Sequence, residues 1–331
     1  MKRLTFVVIA AALLWSGFWV FQSNVQKQAI AHWFEYRRAE GWAADYTDLS
    51  VSGFPNRLDT TMTDPRLGDP ESGMVWESGF LQLFRLSYNP KHIIAVVDNA
   101  QSYATPHSTL SVTTSDARAS LKLLDTESWA VERMILVTEV LNAISDQDWG
   151  LSADVAQLSL EVSPDEPSDY RVALDVRGLR GTFPDIITTS GSNQAPIDRL
   201  TADVRVSMNA PLTRTAVESR RPQPQSLTVN LAEAQWSGLR LAAAGTLDIT
   251  QSGTPVGTLT LKIRNWREML TRERDAGRLT QSALDQIDFV LTLISGLAGN
   301  PETLDLPFDF KNGQIWLGPL HMGEAPRLIL P

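Results

Sequence analysis

Residues 200–208 read Leu-Thr-Ala-Asp-Val-Arg-Val-Ser-Met, and this stretch decides the fold. Leu200, Ala202, Val204, Val206 and Met208 alternate with Thr201, Asp203, Arg205 and Ser207. A period of two sends apolar side chains to one side of an extended chain and polar ones to the other, as in a sheet with one dry and one wet face. The same beat recurs at Tyr170, Val172, Leu174 and Val176, at Leu227, Val229 and Leu231, from Leu239 to Ile249, and at Leu259, Leu261 and Ile263. Turn residues separate the runs: Gly53-Phe54-Pro55, Ser163 to Pro167, Gln251 to Pro255, and Asn312-Gly313, the strongest short hairpin signal in the chain. Links this short imply an antiparallel meander. One run slips phase: Leu151, Ala153 and Val155 are odd, whereas Leu158, Leu160 and Val162 are even, which predicts a β-bulge at Ala156-Gln157.

Working outward to the N-terminus, Leu4 to Phe21 runs without a charge, which is long enough to cross a bilayer once. Lys2 and Arg3 precede it and the next charge is Lys27, so the spacing predicts a cytoplasmic N-terminus and an exported remainder. Arg37 and Arg38 reduce that asymmetry. A cleaved signal peptide is the competing reading, but its apolar region is shorter and ends in a small-x-small site, where this chain has Gly17-Phe18-Trp19-Val20-Phe21. Trp15 and Trp19 stand where indole rings mark the exit from lipid. The expected organisation is an anchor over 1–23, a juxtamembrane helix over 24–41 stopped by Gly41, and a periplasmic β-rich domain over 42–331, with sub-halves meeting near 188–225.

With 331 residues the chain supports one large or two ordinary cores, and its composition, 43% hydrophobic and 20% charged, is that of a globular protein. Twenty-nine basic against 38 acidic residues give a net charge of -9, which disfavours nucleic acid as a partner. The absence of cysteine excludes disulfides, thiolate metal sites and a cysteine nucleophile. Two helices are expected late in the chain, from Asn265 to Gly277 and from about Ser282 to Ala298, the second striped with Leu284, Ile287, Leu291, Ile294 and Leu297. The fold class is therefore mainly β: long curved antiparallel meander sheets, an N-terminal anchor helix and two C-terminal helices packing on the sheet.

No catalytic constellation emerges. His32, His92, His107 and His321 stand apart from any second ligand-type residue, so no metal or other cofactor is expected. Ser190-Gly191-Ser192 lies in a polar loop without a strand-to-helix context. The carboxylates of Asp165-Glu166, and of Asp64 and Asp69, stand among prolines and glycines, where they cap turns. Of ten tryptophans, Trp76, Trp129, Trp236 and Trp266, with Leu291 and Ile294, are candidates to line an apolar ligand groove, although scattered tryptophans also fill cores.

The anchor, Leu49 to Leu67 (LSVSGFPNRLDTTMTDPRL), Leu239 to Leu270 with its glycine-punctuated hairpin, and Asn312 to Leu328 (NGQIWLGPLHMGEAPRL) carry a family resemblance. Gly53, Phe54, Pro55, Gly313, Gly318 and Pro319 are its motif residues. The chain resembles an uncharacterised alphaproteobacterial envelope family, a domain of unknown function with an N-terminal membrane anchor. Its middle block is similar to the sheets of AsmA-type envelope proteins, which implies a β-groove associated with lipid handling. The resulting expectation is a non-catalytic binding or envelope-assembly protein, held in the inner membrane through residues 4–21, using an apolar sheet face for lipid or a protein partner. A structural scaffold with a closed core and a periplasmic hydrolase are the alternative readings.

Overall fold

A computed structural model describes residues 2–182, 197–218, 221–236, 239–264, 266, 271 and 303–330. The chain forms two compact units, Met1–Thr138 with Asn142–Asp148, and Glu139–Leu141 with Trp149–Pro331. The strand pairs described below are antiparallel.

The first unit begins with helix α1 (Lys2–Ala39), which covers the apolar run and the segment expected to follow it without a break. It ends as the glycine signal implies: Gly41 has φ +90°, and the Trp42 N–H donates to the Arg37 carbonyl at 3.0 Å. The strands are β1 (Ala43–Asp45), β2 (Asp48–Ser52), β3 (Arg57–Thr63), β4 (Arg66–Gly68), β5 (Val75–Ser78), β6 (Phe80–Leu86), β7 (Asn89–Val97), β8 (Ala100–Ala104), β9 (Thr109–Leu123) and β10 (Val131–Ser145). Their pairing looks irregular until the breaks are aligned. β1 pairs β4 while β2 pairs β3, β4 pairs β5 while β3 pairs β6, β5 pairs β8 while β6 pairs β7, and β9 pairs both β7 and β8. These are five long strands in meander order: four are split at one shared level, and β9 runs through it unbroken while changing partner there.

The residues at that level explain the interruption. Pro65 has no N–H to offer a ladder, and Asp64 and Asp116 have φ of 47° and 54°. Between β6/β7 and β5/β8 the pairing shifts by one residue, as Leu81 faces Val97 but Ser78 faces Gln101. The extra residue is accommodated at Asp98-Asn99, which behaves as a bulge. Hydrogen bonds still cross the row, from Asp64 N–H to the Gly79 carbonyl at 2.9 Å and from Thr114 N–H to the Asn99 carbonyl at 2.8 Å. Helix α1 lies along this sheet: Phe34, Ala44, Leu49 and Met62 form a buried cluster, with the Phe34 and Tyr46 rings edge to face at 4.9 Å. Arg37, 5% exposed, is held in the same region by Glu40 at 2.8 Å and by the faces of Trp33 and Trp42.

The second unit is a plain meander. β11 (Gly150–Val162), β12 (Asp169–Thr182), β13 (Ile197–Met208), β14 (Pro224–Trp236), β15 (Leu239–Ile249), β16 (Pro255–Arg264), β17 (Thr303–Lys311), β18 (Gln314–Leu317) and β19 (Leu320–Glu324) each pair with the next; a short helix, α2 (Arg214–Glu218), lies between β13 and β14. The alternating runs all fall on strands. Asn312 and Gly313, at φ 54° and 73°, close the β17–β18 hairpin with Lys311 opposite Gln314, the two-residue turn their sequence specifies.

One expectation fails. Ala156 and Gln157 continue the ladder opposite Val176 and Asp175 in unchanged register, so no bulge stands there against β12. The ladder is instead interrupted at Ala153 and Asp154, across from Gly178 at φ +61°. The phase slip needs no register shift because β11 carries apolar side chains on both faces: Ala153 is buried on one, and Leu158 and Leu160 are half-buried on the other. The expected helices over 265–277 and 282–298 lie outside the described residues, apart from Trp266 and Thr271, as does the segment Ser190-Gly191-Ser192.

Candidate functional site

Cross-strand register turns the alternating pattern of the second unit into a surface. Leu160, Val172, Val204 and Val229 are successive partners across β11 to β14, and Leu158, Leu174, Ala202 and Ala232 form the adjacent row. Leu241, Ile263 and Leu304 continue the dry face across β15 to β17, beside Ala243, Leu261 and Leu306. Most of these side chains on β11 to β16 are half-buried, whereas Leu304 and Leu306 are 0% and 7% exposed. Trp266, 1% exposed, packs with Leu304 and Leu306 against Leu261, Ile263, Phe308 and Leu317, so it seals the β16–β18 part of the face.

The opposite face is ion-paired across strands. Arg171 forks onto Asp203 at 3.0 and 2.7 Å, and Arg199 onto Asp175 at 3.0 Å through both nitrogens. Lys262 faces Asp305 at 3.5 Å on the same side, while Arg180 pairs with Asp154 at 2.9 Å where the β11–β12 ladder is interrupted. These pairs neutralise the wet side and leave the two faces chemically opposite. The Arg199 hydrogen bonds hold the Asp175 carboxyl below the usual carboxylate range, and Arg171 does the same for Asp203. A depressed folded value gives stabilisation that is present above the unfolded carboxylate value near pH ~3.9 and is lost as pH falls through the lower folded value. We therefore expect a chain carrying Asp175→Asn and Asp203→Asn to melt slightly below the parent at pH 6. The two melting curves should coincide near pH ~2, and the gap should shrink in high salt, because both pairs are solvent-facing. Thermal melts at the two pH values check this.

Recesses border the sheets in both units. In the second unit, Asn209, Gln223, Gln225, Gln251, Gly253 and Ile329 border one of about 470 Å³. The C-terminal segment crosses it: Leu328 N–H donates to the Gly253 carbonyl at 2.8 Å, and Gln223 exchanges two hydrogen bonds with the Leu330 backbone at 2.9 and 3.0 Å. Its polar lining is amide and hydroxyl rather than ionisable. In the first unit, a recess of about 560 Å³ at the interrupted row is lined by Asp64, Arg66, Glu77, Ser78 and Gln101. Arg66 and Glu77 there pair at 3.0 Å, which satisfies both charges.

The sequence-derived candidates separate. Trp76 is on β5, donating its indole N–H to Gln101 at 3.1 Å, and Trp129 is on the β9–β10 loop at φ 56° and 40% exposed. Trp236 ends β14 and Trp266 follows β16, at the same end of the second unit's sheet. The Trp236 side chain, Leu291 and Ile294 lie outside the described residues. Among the motif residues, Gly53, Phe54 and Pro55 form the β2–β3 turn, Gly313 the β17–β18 turn, and Gly318 and Pro319 the β18–β19 turn. His32 meets Glu35 at 3.2 Å, His92 meets Ser120 at 2.9 Å, and His321 packs on the Trp316 ring at 5.1 Å. Among the described residues no group of three His, Cys, Asp or Glu is placed to hold a metal.

Sequence reasoning missed the partners of Trp15 and Trp19. Their indole N–H groups donate to the carbonyls of Pro55 at 2.9 Å and Arg57 at 2.7 Å, and the Trp19 and Phe54 rings meet edge to face at 5.6 Å. The turn motif and the α1 tryptophans are thus one structure; only their shared aromatic character hinted at it.

The fold and its surfaces define a β-sheet protein headed by one helix long and apolar enough to cross a membrane, with 18 residues of mean hydropathy 2.1. Residues 19–326 match DUF2125, described as an uncharacterized protein conserved in bacteria, and the chain belongs to that family. No curated protein and no solved structure matches it.

Proposed function

We propose that the chain is a single-pass inner-membrane protein of an alphaproteobacterial envelope, with its β-rich units in the periplasm, and that the dry face of the second unit receives a lipid acyl chain. The observation that carries this reading is the contrast between the two faces of one sheet: unbroken apolar rows from Leu160 to Val229 on one side, and forked Arg–Asp pairs on the other. The likeness of the glycine-punctuated β15–β16 hairpin to AsmA-type envelope sheets is consistent with lipid handling. Retention of α1 as an uncleaved anchor is supported by contacts made from within the apolar run itself, where Trp15 and Trp19 donate to the Pro55 and Arg57 carbonyls. The orientation follows from Lys2 and Arg3 before the apolar run. The reading involves no catalysis and no cofactor.

The test is photo-crosslinking of the full chain in bilayer nanodiscs containing a phospholipid with a diazirine on its acyl chain. Lipid adducts on peptides from 197–208 and 226–235 are expected in addition to adducts on Leu4 to Phe21. Adducts confined to the anchor overturn the lipid reading and favour the closed scaffold, for which the sealed Trp266, Leu304 and Leu306 cluster already speaks at one edge of the face.

A further inference from the structure

The first unit has a membrane-facing end, and its chemistry is unlike the opposite end. Trp15 sits by Pro55, Trp19 by Arg57 and Gln26 by Thr60, so α1 runs alongside β3 in the same direction, and its first residues project beyond the β2–β3 turn. Arg57 faces Leu86, Leu86 faces Asn89, and His92 faces Lys122. That register brings the β2–β3 turn, the Ser87-Tyr88 turn and the β9–β10 loop to one end, and puts the turn around His107 at the other.

Length then decides how deep this end sits. At ~1.5 Å per residue, α1 rises only ~16 Å from Leu4 to Trp15 and ~26 Å from Leu4 to Phe21. A hydrocarbon core of ~30 Å needs the whole run. The bilayer that α1 fills therefore reaches past Trp15 and Trp19, to the level at which the turn is docked. We infer that the Gly53–Arg57 and Ser87-Tyr88 turns dip into the lipid of the leaflet that α1 leaves, making a second membrane contact with Phe54 and Tyr88 as its tips.

Three features of the turns suit that depth. Phe54 and Tyr88 are 54% and 66% exposed although both are aromatic, the residue class that gathers at a lipid interface. Several backbone carbonyls of the β2–β3 turn are occupied, which lowers the cost of immersion in lipid: Pro55 and Arg57 accept from the tryptophans, and Asn56 accepts from the Ser87 N–H at 2.9 Å and hydroxyl at 3.0 Å. The charge at the base of the turn is paired, with the Arg57 guanidinium on Asp59 at 2.5 Å and over the Phe84 ring. On the neighbouring β9–β10 loop, Asp125 and Glu127 stay in the headgroup layer, which sets the depth limit. Gly53 allows the turn its shape, at φ +101° with Asp59 where a Cβ would stand.

This inference rests on α1 being a membrane span, and its test separates the two. The chain has no cysteine, so single substitutions Phe54→Cys, Tyr88→Cys, His107→Cys and Ile9→Cys each carry one nitroxide label in the otherwise native full-length protein. In phosphatidylcholine–phosphatidylglycerol vesicles, the ratio of collision with oxygen to collision with a water-soluble nickel chelate reads depth. Labels at 54 and 88 are expected to show a ratio several-fold above that at 107 and below that at 9. Labels at 54 and 88 equal to 107, with 9 deep in lipid, overturn the second contact and leave the anchor standing. A water-exposed label at 9 overturns the anchor and this inference with it. Tyr88→Cys, at the more exposed of the two tips, keeps the test decisive should Phe54→Cys disturb the Trp19 contact.

Discussion

Replacing Trp266 with alanine is expected to lower the unfolding free energy by about 3–5 kcal/mol, the usual cost of emptying a buried indole site. Trp266 is 1% exposed and rests on Leu304 and Leu306, themselves 0% and 7% exposed, with Phe308 and Leu317 at the rim. The cavity has rigid walls, because Leu304 and Leu306 are fixed in a ladder opposite Ile263 and Leu261, so collapse around it is limited. Denaturant unfolding of the full-length protein in nanodiscs, followed by the change in midpoint at constant slope, measures the loss. A cost under about 1 kcal/mol would mark Trp266 as a groove-lining side chain instead of a core one, since an indole left facing a ligand channel supports little packing.

Gly245→Ala and Gly257→Ala are each expected to destabilise the second unit by about 2–4 kcal/mol, through backbone strain with a steric term added. These glycines sit on facing strands, Gly245 opposite Leu259 and Gly257 opposite Leu247. At φ +150° and +142° they adopt conformations that L side chains rarely take. A Cβ on Gly245 would stand 2.2 Å from the Thr258 carbonyl oxygen, and one on Gly257 would stand 2.3 Å from that of Thr246. Neither obstacle is a flexible side chain, so relief requires the two strands to separate. Once one alanine has forced that separation the second adds less, and the double variant should cost less than the sum of the singles. Thermal melts of the three variants provide the measurement; an additive double would mean that the two close approaches are independent.

That hairpin shows how far the sequence reaches. The glycines stand out in Leu239–Arg264 because they interrupt a β-branched and leucine-rich run, and the run itself is legible from period two. Their obstacles are not legible, because each is a carbonyl 13 or 11 positions away in the chain, placed by register alone. The bulge expected at Ala156-Gln157 went astray for a related reason. A phase slip reports which face each side chain takes only if one face is dry throughout, and β11 has apolar groups on both. In the first unit Pro65, Gly79, Asp98 and Asp116 are far apart in the chain and carry no shared sequence signal; pairing alone brings them to one level across four neighbouring strands. The candidate surfaces divide likewise, since the apolar residues of the second unit's face are readable one strand at a time whereas their continuity is a product of partner choice.

By itself the sequence determined the apolar helix, its glycine stop, the extended and alternating character of the rest, and the Asn312-Gly313 hairpin, because those follow from contacts within a few residues of chain. Tertiary structure alone decided that α1 is a wall of the first unit's core, that Trp15 and Trp19 cap the Phe54-Pro55 turn, and that Trp266 closes one edge of the dry face. Each of these depends on segments brought together from far apart, and side-chain chemistry fixes what a residue can bond to without fixing what the folded backbone places beside it.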